Sequence, residues 1–105
     1  MEENGKITST FLGVEDHGIF TIMLTIQGEG WGQGYGGYAL SGKGKFTSLK
    51  VVKAILDVFE VNSWEELKGQ YCRVIRNDAF GKIIEIGNLI KNKWFSFDEF
   101  FEENK

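Results

Sequence analysis

The chain has 105 residues, 42% of them hydrophobic and 14% aromatic, which is enough for one domain with one packed core. Its 12 Lys and Arg residues stand against 15 Asp and Glu residues, so the formal net charge is −3. This balance argues against a dedicated nucleic-acid-binding protein, whose affinity depends on many cationic contacts to phosphates. We therefore expect a single domain over residues 1–105 and do not expect nucleic acid as its partner.

The sequence also bears on the compartment. Residues 1–5 are acidic and polar, unlike the basic and then apolar start of a secretory signal. The longest apolar stretch, residues 19–26, is interrupted by Thr21 and Thr25 and is far shorter than the roughly 20 residues of a membrane-spanning helix. The single cysteine, Cys72, cannot form an internal disulfide. These features predict a cytoplasmic protein that does not enter the membrane.

Two strands joined by a turn are predicted first along the chain. Residues 6–14 are rich in β-branched side chains, and residues 15–18 form a turn in which Gly18 is free to take a positive φ. Residues 19–26 alternate with a period of two, which is typical of a half-buried strand paired as a hairpin. One face of this strand carries Phe20, Ile22, Leu24 and Ile26, and the other carries Ile19, Thr21, Met23 and Thr25.

Two helices are predicted after a glycine-rich stretch. The first has Thr47 or Ser48 as its N-cap and continues with apolar side chains at three- and four-residue spacing. Those side chains are Leu49, Val52, Ile55, Leu56 and Phe59. The second helix is short, because Ser63 and Glu66 form a capping box and Gly69 stands where a left-handed residue ends a helix.

The last third of the chain predicts a hairpin and a helix. Residues 71–76 and 82–90 form the hairpin, and Ser96 with Glu99 forms a capping box that opens the helix. The glycine-rich stretch continues as a third strand, so the predicted order is β-β-β-α-α-β-β-α. Hairpins separated by helices favour an α+β fold, an antiparallel sheet of about five strands with the helices packed on one face.

The most informative segment is residues 27–40, in which glycine occupies every second position from Gly28 to Gly36. If the segment is extended, one face is bare backbone and the other carries Trp31, Gln33 and Tyr35. Strand glycines are retained more readily where a ligand ring, another part of the chain or another subunit approaches the backbone closely. A flexible loop is the alternative, although such loops more often carry Ser and Asn. We expect a binding surface or a subunit interface here, and hence a homo-oligomer.

Lys43 and Lys45 alternate with glycines and lead into the helix that starts at Thr47 and Ser48. The unpaired N–H groups and the dipole of a helix N-terminus favour an anion such as phosphate. A solvated turn with two surface lysines explains the same residues. We call residues 43–48 the anion cradle. The predicted ligand site combines the anion cradle with the glycine–aromatic segment and adds Arg73 as a weaker candidate. Its residues are Trp31, Gln33, Gly34, Tyr35, Tyr38, Lys43, Lys45, Thr47, Ser48 and Arg73.

Residues 32–37 match the pattern G-x-G-x-x-G of dinucleotide-binding folds. That fingerprint requires a helix directly after the third glycine. Residues 38–40 instead continue as a strand, and the helix begins near Ser48. The dinucleotide interpretation is therefore excluded.

We predict no catalytic centre, metal site or cofactor. His17, the sole histidine, follows Glu15, which would orient a general base, but a polar hairpin turn explains the same residues. Cys72 lies in a predicted strand, where a buried, inert thiol is expected. One His and one Cys cannot complete a zinc site.

Six blocks of the chain follow one another in a characteristic order: ITSTFLG at 7–13, EDHG at 15–18, GQGYGGYAL at 32–40, SWEELKG at 63–69, IGN at 86–88 and KWF at 93–95. They resemble a family of small phage- and prophage-encoded proteins, and the resemblance covers nearly the whole chain. The family has no established activity, so the resemblance implies no catalytic residues. It implies an accessory phage protein acting in the cytoplasm of the bacterial host and, by analogy, an anti-defence factor.

Two functions fit these features. The first is sequestration of a small nucleotide immune signal, with stacking on the aromatic side chains of residues 31–38 and phosphate binding at residues 43–48. The second is inhibition of a host defence protein, such as a nuclease blocked in the manner of anti-CRISPR proteins, through the same segment. A small hydrolase built on His17 is a third alternative.

Overall fold

The computed structural model describes residues 1–42, 46–77 and 81–104. These residues form six strands, two α-helices and one 3₁₀ turn. The strands are β1 (Glu2–Val14), β2 (Phe20–Gly28), β3 (Trp31–Ala39), β4 (Tyr71–Arg76), β5 (Ile83–Asn88) and β6 (Trp94–Phe95). The helices are α1 (Thr47–Phe59) and α2 (Phe97–Glu103), and the 3₁₀ turn covers Trp64–Leu67.

All six strands belong to one antiparallel sheet in the order β3-β2-β1-β4-β5-β6, which confirms the predicted α+β class. The sheet has one strand more than the expected five. The additional strand is β6, whose Trp94 and Phe95 pair with Gly87 and Ile86. A two-residue strand is too short to show a period-two pattern, so it could not be predicted from the alternation of side chains.

The alternation predicted for β2 is confirmed. Ile22, Leu24 and Ile26 have no exposed surface, whereas Met23 is half-buried and Gln27 is exposed. We call the side of the sheet that carries the buried set the inner face and the opposite side the outer face. Both α-helices contribute buried side chains to the cluster on the inner face, where α1 supplies Val51, Ile55, Val58 and Phe59 and α2 supplies Phe97.

Two predicted helix starts need correction. The N-cap of α1 is Phe46, in a left-handed conformation with φ of 63°, and Thr47 is already the first helical residue. The segment after Ser63 forms a 3₁₀ turn instead of an α-helix, and Ser63 makes no capping hydrogen bond. The carboxylate of Glu66 accepts from the backbone N–H of Asn62, one residue earlier than a capping box requires. At α2 the prediction is confirmed, because Ser96 Oγ accepts from the N–H of Glu99.

The sheet curls until β3 and β5, which are four places apart in the strand order, are joined by side chains. The amide of Gln33 donates to the carbonyl of Gly81 at 2.9 Å and accepts from the N–H of Ile83 at 3.0 Å. It therefore bonds to β5 much as the backbone of a neighbouring strand would.

The hydroxyl of Tyr35 makes a second link across the same gap. It donates to the carbonyl of Ile84 at 3.1 Å and accepts from the N–H of Phe97 at 3.1 Å. Its ring packs on that of Phe97 with 4.9 Å between centroids and is only 5% exposed. Burial raises the pKa of the Tyr35 phenol well above its usual range, so the hydroxyl keeps its proton. The sheet is thus a partly closed barrel sealed by two side chains of β3.

Replacing Tyr35 with Phe keeps the ring and removes the hydroxyl. We expect the free energy of unfolding to fall by about 1–3 kcal/mol, because the buried N–H of Phe97 loses its acceptor. Chemical denaturation measures the change. Tyr71→Phe is the matched control, since Tyr71 is 59% exposed. Equal losses in the two variants would contradict a closing role for Tyr35.

Candidate functional site

The glycine-rich segment is extended, as predicted, and its two faces differ as expected. Trp31, Gln33 and Tyr35 lie opposite Gly28, Ile26 and Leu24 of β2 and point to the inner face. Their glycine neighbours lie on the outer face. A bulge at Gly36 and Gly37, with φ of 124° and 83°, brings Tyr38 back to the inner face opposite Ile22. All three aromatic side chains of the segment therefore face the interior.

Much of the glycine run serves contacts within this chain. The indole of Trp31 lies on Gly28 so closely that an added Cβ would stand 2.1 Å from the ring. The guanidinium of Arg76 also lies over this ring, 4.4 Å from its centroid. On the outer face the sulfur of Met23 covers Gly34, where an added Cβ would be 2.8 Å away. The close approach expected from the glycines is thus made largely by Trp31 and Met23.

The predicted stacking site needs correction at Tyr35. A ring that is 5% exposed offers no face to a ligand. Tyr38 is half-buried, donates a 2.6 Å hydrogen bond to Asp98 and packs against Phe97 and Phe101. Desolvation, reinforced by the hydrogen bond to Asp98, raises the pKa of Tyr38 to about 12. These two tyrosines anchor α2 to the sheet.

The predicted anion cradle is described only in part. Lys43 and Lys45 lie outside the described residues. Thr47 is 3% exposed and Ser48 is half-buried in the first turn of α1.

Arg73 lies on the opposite face of the sheet from Trp31. It donates to the carbonyls of Asn88 and Lys91 at 2.8 Å, and its guanidinium lies 4.5 Å from the ring of Trp94. The structure therefore does not bring Arg73 together with the aromatic side chains of β3.

A concavity that was not predicted lies on the outer face. Its volume is about 480 Å³. Its apolar wall includes Phe11 and Ile19, which are 43% and 45% exposed, together with half-buried Met23 and the backbone of Gly37. We call it the outer-face pocket. Its remaining lining residues are Val14, Glu15, Asp16, His17 and Thr21.

The rim of the outer-face pocket is the turn between β1 and β2, which Glu15 organises. The Glu15 carboxylate accepts from the N–H groups of His17 and Ile19 at 2.7 and 3.1 Å, and its second oxygen lies 3.0 Å from Nδ1 of His17. The hydrogen bond with the His17 side chain is the main reason why the pKa of Glu15 lies below its usual value. Gly18 has φ of 83°, as the turn prediction required. The carboxylate of Asp16 and the imidazole of His17 stay exposed beside the pocket.

Cys72 is fully buried, and burial raises the pKa of its thiol to about 12. It pairs with Gly5, whereas His17 follows the far end of β1, about 30 Å away at the rise of a strand. The two residues do not meet. No group of three metal-ligating side chains occurs within residues 1–42, 46–77 and 81–104.

Comparison of the chain with models of protein families, with curated proteins and with solved structures gave no match. None of the helices in the described part of the chain has the length and apolar character needed to cross a membrane.

Sequence reasoning missed the outer-face pocket although part of its signal was visible. Ile19 and Met23 alternate with the core residues of β2 and so fall on the face opposite the core. Phe11 lies directly opposite Met23 on β1. Large apolar side chains that cluster on an exposed face indicate a contact site.

Gly28→Ala should destabilise the fold by about 1–3 kcal/mol, because the new methyl group overlaps the Trp31 ring. Gly32→Ala is the matched control on the neighbouring strand. Its Cβ would meet the Gln27 side chain at an ordinary 3.5 Å. Thermal unfolding of both variants checks the expectation, and a Gly32→Ala loss as large as that of Gly28→Ala would refute the close packing of Trp31.

An NMR titration of Glu15 should give a carboxyl pKa below 4.5, and His17→Ala should raise it, because the largest cause of the shift is removed. The native state binds its proton less readily than the unfolded chain. The contribution of Glu15 to stability is therefore present above the unfolded pKa and is lost as the pH falls through the folded value. An unchanged pKa in His17→Ala would show that the His17 contact does not form in solution.

Proposed function

We propose that this chain is a non-catalytic binding protein that sequesters a small molecule with a planar ring in the outer-face pocket. The observation that carries the proposal is the pocket itself. Its volume of about 480 Å³ lies in the range of small-molecule sites, which are mostly apolar with a few converging polar groups. A nucleotide-like signal acting in the bacterial host is the ligand class that we favour.

The lining suits a heteroaromatic ring. Phe11 and the thioether of Met23 offer polarizable surfaces for stacking, and the backbone at Gly37 permits close approach. At the rim, the carboxylate of Asp16 is exposed and accepts hydrogen bonds, as the N–H groups of a nucleobase edge require. The Glu15 oxygens are already occupied by the turn.

Phosphate groups of such a ligand would point away from the acidic rim. The N–H of Leu40 donates to the carbonyl of Phe20, so the chain leaves β3 at the end of the sheet where the pocket lies. Lys43 and Lys45 follow within five residues in the sequence.

Inhibition of a host defence protein by direct contact is the second candidate. The observation in its favour is the exposed apolar surface of the β1–β2 hairpin, where Val14 is 65% exposed beside Phe11 and Ile19. Exposed apolar patches of this kind also mark protein-interaction sites.

Thermal-shift measurements with linear and cyclic nucleotides, followed by mass spectrometry of any ligand released on denaturation, test the proposal. We expect stabilisation by at least one nucleotide and recovery of that nucleotide unchanged. Phe11→Ala should weaken binding by about 1–3 kcal/mol, the usual contribution of a stacking ring. Tyr71→Ala removes an exposed ring outside the pocket and is the matched control.

The other outcomes decide between the alternatives. A converted nucleotide would indicate a hydrolase and would direct attention to His17. If no nucleotide stabilises the chain and a host defence protein co-purifies with it, inhibition by direct contact is favoured. In that case Phe11→Ala should abolish the co-purification. Equal affinities of Phe11→Ala and Tyr71→Ala would place the ligand elsewhere.

A further inference from the structure

Half of β1 has an open edge. Strand β4 pairs only with residues 2–6, and Ile7 exchanges hydrogen bonds with Gly69 and Gln70. Beyond Ile7, β1 pairs with β2 on one side only. On the other side of residues 9–14, the described residues supply no hydrogen-bond partner for the backbone.

The hydrogen-bond pattern identifies the backbone groups at this edge. The N–H of Glu15 donates to Ile19, and in an antiparallel pair such bonded positions alternate along the strand. Gly13, Phe11 and Ser9 therefore bond to β2. Thr10, Leu12 and Val14 direct their N–H and C=O groups outward.

This edge lacks the usual protection. Residues 8–14 contain no charged residue and no proline, which are the common means of preventing edge-to-edge pairing. Leu12 and Val14 at the edge are 39% and 65% exposed, although apolar. An uncovered edge of this kind is a template for another strand.

We propose that the edge is covered by a second copy of this chain, with the two β1 strands paired antiparallel about Leu12. This register pairs residues 10–14 of the open stretch with the same residues of the second copy and places no like charges opposite each other. Leu12 faces its own counterpart, and Thr10 faces Val14. Pairing of the three outward positions gives about six backbone hydrogen bonds across the two-fold axis.

The same register places Phe11 opposite Gly13 of the second copy. Within one chain, the rings of Trp31 and Trp94 already lie on the cross-strand glycines Gly28 and Gly87. The proposed contact repeats this aromatic–glycine pairing between subunits. Directly opposed residues share a face of the sheet. The outer-face pockets of both copies, each with Phe11 in its wall, therefore open on the same side.

Light scattering of the purified chain at tens of micromolar tests the proposal first, and we expect twice the chain mass of 11.9 kDa. Leu12→Cys then tests the register, because opposed Cα atoms in a bonded antiparallel pair are about 5.5 Å apart, within disulfide range. Mild oxidation should give a covalent dimer. Ile90→Cys, at an 86% exposed site, is the control and should remain largely unlinked, and Cys72 is buried in both variants.

Two proline variants distinguish this edge from that of the glycine strand. Thr10→Pro removes an outward N–H of β1 without removing a bond to β2, and it should convert the dimer to a folded monomer. Gly32→Pro makes the corresponding change on β3 and should leave the dimer intact. A strict monomer, a dimer lost only in Gly32→Pro, or a Leu12→Cys variant that cross-links no better than Ile90→Cys would each overturn the proposal.

Discussion

The fold depends on one buried phenol. Strands β3 and β5 are four places apart in the sheet, and the hydroxyl of Tyr35 joins them by bonding to Ile84 and to the start of α2 at Phe97. A curled sheet that stops short of closure leaves edge groups facing a gap, and unpaired buried groups cost about 1–3 kcal/mol each. Gln33 bonds to two further backbone groups of the same gap. The position of α2 and the enclosure of the inner-face core both follow from these two side chains.

The closure explains why the side chains of the glycine–aromatic segment point to the interior. A side chain that bridges strands must point inward, and the alternation of β3 then places Tyr35 and Gln33 on the same face as Trp31. The glycines are left on the outer face, where Met23 covers Gly34. Phe11 and Ile19 of the neighbouring β1–β2 hairpin are exposed and line the outer-face pocket, and the proposed binding functions are therefore assigned to that hairpin.

Local patterns gave much of the fold. The period-two alternation of β2, the turn at Gly18 and the cap at Ser96 follow from residues close in sequence, and all three are confirmed. The curl of the sheet could not be predicted in the same way, because it depends on bonds such as that from Tyr35 to Ile84, 49 residues apart. The helix start at Phe46 was missed for a different reason, since a left-handed phenylalanine is a rare cap. At the predicted ligand site, the alternation of glycine and larger side chains along β3 could be predicted from the sequence. The sequence could not show which face of β3 packs against the core.

Two layered stacks lie on opposite faces of the sheet, one of Gly28, Trp31 and Arg76 and the other of Gly87, Trp94 and Arg73. In each, a ring fills the space that a glycine leaves and a guanidinium covers the ring. The three positions of a stack are therefore constrained jointly. If a smaller side chain replaced Trp31 during divergence, position 28 could then carry a residue larger than glycine. The reverse order is disfavoured, because a larger residue at position 28 would overlap the Trp31 ring. Homologous chains should accordingly exchange such residues as sets, in a fixed order of substitution.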